Sequence, residues 1–155
     1  MRLLALTAIL MLALDQASKY AVIWGLGLIH VGTIPVLPPY LVFHMGWNTG
    51  INFGLGSSAD ARWILVALAL AICAWALNWA RRDPRPIVAV STGLLVGGAL
   101  GNVIDRVIHG AVADFLNMSC CGIVNPYTFN IADIGVFLGA VGLILSPPEK
   151  TRRKG

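Results

Sequence analysis

The sequence predicts a membrane α-helical fold: four transmembrane helices with a small strand-containing cap on the extracytoplasmic side. Three observations carry this expectation. Hydrophobic residues make up 57% of the 155-residue chain and charged residues only 12%, against about 25% charged in an ordinary soluble domain. The mean hydropathy is +0.79. The apolar residues are gathered into four runs, and most basic residues lie in short segments between or beyond them.

A helix rises about 1.5 Å per residue, so about 20 apolar residues cross a hydrocarbon core about 30 Å thick. The first run predicts a span over about 3–24, interrupted by Asp15 and Lys19. Arg2 followed by Leu3 to Leu14 has the look of a signal peptide, but "DQASK" offers no small-x-small cleavage site and apolar character resumes at Tyr20. The helix is therefore expected to remain in the protein. The next segment, about 25–62, contains "YLVFHMGWNTGINFGLG". Its β-prone residues and repeated glycines predict short strands with tight turns.

The second span, about 63–80, carries no ionisable side chain, and Trp63 and Trp79 near its ends read as interfacial anchors. The third span covers about 87–105. Gly93, Gly97 and Gly101 recur there every fourth residue, as Gly135 and Gly139 do in the fourth span, about 131–146. Small residues at that spacing let helix backbones meet in lipid. Pro147 and Pro148 end the fourth helix. A second long segment, about 106–130, joins the third and fourth spans. Connections in compact domains are usually about 4–6 residues, so both long segments are expected to carry function.

Basic flanks are retained on the cytoplasmic side. Arg2, Arg81, Arg82, Arg85, Lys150, Arg152, Arg153 and Lys154 are eight of the eleven basic residues, and they place both termini and the "RRDPRP" turn in the cytoplasm. The net charge of +4 follows from this topology, and no nucleic-acid partner is needed to explain it. Cys73 reads as a packing residue; Cys120 and Cys121 are neighbours that could bond to each other only with strain. His30, His44 and His109 show no ligand spacing, so no metal and no cofactor are expected.

An ionisable group at bilayer depth is costly and is usually turned inward, partnered and functional. Asp15 and Lys19 are i and i+4 and can pair; Asn102 and Asp105 are i and i+3, with Arg106 next; Asn130 and Asp133 are i and i+3. The predicted topology brings all of them to the extracytoplasmic ends of the helices. Asp105 with Arg106 reads as a structural charge pair at a helix exit, and His109 as a loop residue. Asp114 and Asp133 differ, because neither has a basic neighbour within three residues. Two such carboxylates brought to one site raise each other's proton affinity, so one can be ionised while the other is protonated. That state suits the activation of water against a peptide carbonyl. Two other readings stay open: a Ser/Lys peptidase using Ser18 or Ser57 with Lys19, and a small proton-coupled transporter.

Five elements in order, "DQASK", "NTGINFG", "GGALGNVIDR", "VADF" and "FNIAD", closely resemble the lipoprotein signal peptidase (signal peptidase II) family of aspartyl peptidases. The resemblance covers nearly the whole chain. It implies that Asp114 and Asp133 form a catalytic dyad, and that Asp15, Lys19, Asn48, Gly50, Asn102, Arg106 and Asn130 support the active site or the substrate. It also implies a four-helix domain with a β-cradle and a surface helix, in the inner membrane of a bacterium. The implied substrates are diacylglyceryl-modified prolipoproteins cleaved before the lipidated cysteine, the surroundings membrane lipid, and the inhibitor a peptide antibiotic such as globomycin. Ile51 and Asn52 stand where the family commonly has small residues, and the Cys pair has no functional account.

Overall fold

The computed structural model describes residues 1–50 and 58–147. The first apolar run forms α1, Arg2–Lys19, and continues without a break as a π-helical segment, Tyr20–Gly25. A plain helix is expected here from sequence. The π-helical turns begin immediately after Lys19, and such widenings occur frequently at functional sites. Gly27, in the left-handed region at φ 71°, turns the chain into the four-residue helix α2, Leu28–Val31. This short helix is what the described part of the first long segment provides where a surface helix is expected.

Two strands follow, β1 (Thr33–Leu37) and β2 (Leu41–Asn48); β2 falls in the stretch whose β-prone residues predict strands, and β1 precedes that stretch. The long helices α3, Ser58–Arg82, and α4, Pro86–His109, are joined by a tight turn. Both extend beyond the expected 63–80 and 87–105. Polar residues at helix ends continue the backbone ladder, so apolar runs underestimate helix length. One reading is corrected by this: His109 is the last helical residue, before Gly110 closes the helix at φ 82°, and not a loop residue; Arg106 lies in the last turn of α4.

β3, Val112–Asn117, starts three residues after α4 within a segment expected to be loop, and pairs antiparallel with β2 in the sheet order β1-β2-β3. The chain then makes an excursion that carries Cys120 and Cys121, both exposed and unbonded. It returns when Phe129 exchanges backbone hydrogen bonds with Leu116 at 2.8 and 3.0 Å. That return sets Asn130 beside β3 and starts α5, Ile131–Ile144.

Among the described residues, three helical stretches are long and apolar enough to cross a membrane: Arg2–Gly25, Ala61–Arg82 and Pro86–His109. At 14 residues, α5 measures about 21 Å and is shorter than a hydrocarbon core. α4 lies at the centre, packed on α1, α3 and α5. Its buried Val88, Leu95, Val96 and Ala99 meet Leu4, Cys73, Ala76, Ala80 and Leu143. The glycine spacing has the expected consequence. A Cβ at Gly97 would run into the Ala8 carbonyl oxygen and lie 2.8 Å from Met11 Cβ, and one at Gly139 would lie 2.5 Å from Ser91 O. A second apolar cluster, Val22, Leu28 and Phe115 with Phe43 against it, seats the sheet on the helix ends.

The opposite end is tied by Arg85. Its guanidinium clasps Asp83 at 2.7 to 3.1 Å and donates to the carbonyls of Ser146 and Pro147 at 3.0 Å each. The "RRDPRP" turn thus anchors the end of α5 in addition to supplying positive charge. The Arg85 side chain beside Asp83 holds that carboxyl below its usual range.

Candidate active site

The polar residues of α1, α4, β3 and α5 converge beneath the sheet. Asn130 caps α5 in a reciprocal capping box: its Oδ1 accepts from the Asp133 N–H at 3.0 Å, and its own N–H donates to Asp133 Oδ2 at 3.1 Å. The Asn130 Nδ2 then donates to Asp114 Oδ1 at 2.6 Å and to Asn102 Oδ1 at 3.1 Å. Asn102 completes the circuit by donating from Nδ2 to Asp133 Oδ1 at 2.8 Å. Two asparagines therefore link both carboxylates, and Asn130 is fully buried.

The remaining oxygen of Asp114 is held from β2. Asn48 Nδ2 donates to Asp114 Oδ2 at 3.0 Å, while Asn48 Oδ1 accepts from the Gly50 N–H at 3.0 Å. The Gly50 bond fixes which end of the amide faces Asp114. It needs backbone at φ 91°, a conformation that favours glycine. Burial, and next the charge of nearby Asp133, push the Asp114 carboxyl up to about 6 against the opposing hydrogen bonds from Asn48 and Asn130. Arg106 lies close enough to interact with the charges of Asp133 and Asp114. Its Nη1 donates to Asn102 O at 3.4 Å, and its buried Nε has no hydrogen-bond partner among the described residues.

Behind this pair lies a buried charge cluster. The Lys19 ammonium is 2.8 Å from Asp15 Oδ2, as the i, i+4 spacing predicts, and 2.8 Å from Asp105 Oδ2. Asp105 is therefore bound across to α1, which corrects its pairing with Arg106: adjacent helical residues project about 100° apart, so the neighbour in sequence is not the neighbour in space. Each aspartate of the cluster also holds one backbone N–H. Asp15 Oδ1 accepts from Ala132 at 2.9 Å and Asp105 Oδ2 from Ala113 at 3.1 Å. Ala132 immediately precedes Asp133, and Ala113 immediately precedes Asp114. One lysine thus ties together the two anchors that position the two candidate carboxylates.

All nine residues singled out from sequence lie in this connected region. Gln16 was not singled out. Its Nε2 donates to Asp15 Oδ2 at 3.1 Å and Asp105 Oδ1 at 3.2 Å; a polar residue beside Asp15 in an apolar run was the available signal. Ser18 donates to the Asp15 carbonyl at 2.8 Å, and the Lys19 ammonium is engaged by carboxylates, so Ser18 and Lys19 form no nucleophile and base pair. Ser57, Ile51 and Asn52 lie outside the described residues. No group of three or more His, Cys, Asp or Glu placed to hold a metal occurs among the described residues.

Residues 7–147 match the family model described as signal peptidase (SPase) II. The chain is 45% identical over 137 residues to a lipoprotein signal peptidase of Methylorubrum extorquens, covering 86% of this chain and 78% of that protein. It is 39% identical over 134 residues to one from Caulobacter vibrioides, with 85% and 78% covered. A bacterial membrane enzyme solved by the in meso method superposes with a TM-score of 0.77 at 28% identity, covering 94% of this chain and 92% of that one.

Proposed function

Because this chain belongs to the signal peptidase II family, we propose that it is an aspartic endopeptidase of the bacterial inner membrane, and that Asp114 and Asp133 activate water between them. The substrates are diacylglyceryl-modified prolipoproteins, cut immediately before the lipidated cysteine. α5 completes four spans, both termini face the cytoplasm, and the sheet covers the site on the extracytoplasmic side.

The observation that carries this reading is the Asn130 amide, which reaches Asp114 at 2.6 Å while the same residue's N–H reaches Asp133 at 3.1 Å. Such a bridge supports a pair of carboxylates acting as one unit. Asp114, whose affinity for a proton is raised by burial and by the charge of Asp133, is the member that holds the proton the pair shares. Asp133, with donors from Asn102 and Asn130, is the carboxylate. It removes a proton from water as the oxygen attacks the scissile carbonyl carbon, and Asp114 hydrogen-bonds the carbonyl oxygen as charge develops there. Collapse of the tetrahedral intermediate breaks the C–N bond and passes a proton to the departing amine. No covalent intermediate or cofactor enters the scheme. Arg106, with one unpartnered buried donor, is placed to orient a polar group of the substrate near the dyad. A site of this kind also suits a peptide antibiotic inhibitor such as globomycin.

The test uses purified protein, a diacylglyceryl-modified prolipoprotein, and the variants Asp114→Asn, Asp133→Asn and Ser18→Ala. Near-complete loss is expected in both aspartate variants at retained fold, with Ser18→Ala active. A folded aspartate variant that processes substrate at the normal rate overturns the assignment.

A further inference from the structure

On the side of β3 facing away from the dyad lies a cavity of about 270 Å³ lined by Gln16, Lys19, Tyr20, Trp24, Asp105, His109 and Ala113. Successive residues of a strand face opposite sides, so Ala113 presents to this cavity while Asp114 presents to the catalytic pair.

The walls are aromatic. The Trp24 ring lies 6.0 Å from Tyr20 and 5.9 Å from His109, and His109 lies 5.6 Å from Trp47. The floor is polar and its donors are used. An ammonium has three protons, and Lys19 directs them at Asp15, Asp105 and, more distantly at 3.4 Å, Asn102. The Gln16 amide serves Asp15 and Asp105. What the floor offers a ligand is acceptor oxygen of Asp105 beside the Lys19 ammonium, and the buried Asp15 behind them brings the formal charge of the cluster to −1. An anionic group such as phosphate would meet the Asp105 carboxylate, whose cationic partner Lys19 has no proton to spare. A cation would meet aromatic faces and a carboxylate, the combination that recognises alkylammonium groups.

We propose that this cavity is a binding site for the primary ammonium headgroup of a membrane phospholipid, phosphatidylethanolamine. Its position favours a lipid: Tyr20 and Trp24 are exposed at 69% and 42% at the end of the first membrane-crossing stretch, where amphipathic aromatics sit at headgroup depth. The ammonium adds a partner to Asp105 and leaves intact the bond from that side chain to the Ala113 N–H. The site is independent of the peptidase reading, and its test reads lipid retention instead of cleavage.

Full-length protein, delipidated in detergent, is reconstituted into vesicles of phosphatidylglycerol mixed equally with phosphatidylethanolamine, re-extracted, and its retained lipid counted by native mass spectrometry. Phosphatidylethanolamine is expected to exceed phosphatidylglycerol by about five- to ten-fold, the order of one desolvated cation–π contact. Trp24→Ala should bring the ratio close to one. Tyr20→Leu, at a largely exposed position that folding tolerates, should lower it as well. A parallel arm with millimolar free ethanolamine reports whether the headgroup alone competes; displacement supports the ammonium site. Equal retention of both lipids, a preference that survives both substitutions, or no effect of free ethanolamine overturns the proposal.

Discussion

Asn130 joins Asp114 to Asp133 through one residue: its side-chain Nδ2 donates to Asp114 at 2.6 Å and its backbone N–H donates to Asp133 at 3.1 Å. The capping box that starts α5 therefore also sets the relation between the two carboxylates. Asn130→Ala removes the Asp114 bond and the cap together. Misplacement of a catalytic group by about 1 Å can cost about 100-fold in rate, and loss of a cap about 1 kcal/mol of stability. The expected outcome is a kcat lowered by about 100-fold with a modest fall in Tm. A variant with wild-type kcat would show that the bridge is dispensable.

The raised affinity of Asp114 for its proton has a consequence for stability. With the folded carboxyl at about 6 and the unfolded one near 3.9, the folded state holds more protons between these values. Stability from this group is therefore greatest at low pH and falls as pH rises from about 4 through 6, by at most about 3 kcal/mol. Asp114→Asn abolishes that dependence. Thermal melts should show wild type losing Tm between pH 5 and 7.5 relative to the variant, which should be the more stable of the two at pH 7.5. Parallel melting curves across that range would contradict the assignment of charge.

The activity profile should be bell-shaped, with its two apparent pKa values belonging to the pair of carboxylates. Asn48 donates to Asp114 and favours its ionised form. Asn48→Ala is therefore expected to move the alkaline limb of kcat toward higher pH, because Asp114 keeps its proton longer. A limb that stays in place, or moves toward lower pH, would remove Asp114 from the acid role.

Lys19 stands between Asp15 and Asp105 at 2.8 Å from each, and all three side chains are buried. Taking one partner from a buried ionic cluster leaves uncompensated charge, at about 3–5 kcal/mol. Lys19→Met should lower Tm accordingly and reduce kcat, since both backbone anchors lose their common tie. Wild-type melting in Lys19→Met would mean that the cluster contributes nothing to the fold.

A Cβ added at Gly101 would lie 2.5 Å from Asp15 Oδ2 and 3.5 Å from Ala132 Cβ, whereas one at Gly25 would meet only the Tyr20 carbonyl oxygen at 3.8 Å. Overpacking of this kind costs about 1–3 kcal/mol. Gly101→Ala should destabilise by that amount and reduce cleavage by shifting Asp15 and with it the start of α5; Gly25→Ala should do neither. Equal behaviour of the two in melts and cleavage assays would argue against close packing at Gly101.

Most of the helical framework is legible in the sequence because lipid and water sort residues crudely: long apolar runs, interrupting polar residues and basic flanks follow from composition. The Asp15 and Lys19 contact follows from helical spacing alone. β2 was foreshadowed by its β-prone residues, but β3 was not, since "VADFLN" has no clean alternation and is buried by packing against β2 and the helix ends.

By itself the sequence determined where the long apolar helices lie, and that Asp114 and Asp133 lack counterions nearby in the chain. Only the tertiary structure decided their partners. Asp105 pairs with a lysine on another helix because its own neighbour points elsewhere, and Asn130 reaches Asp114 because Phe129 returns to Leu116. These are contacts between groups far apart in the chain, set by how helices and strands pack, and no local spacing encodes them.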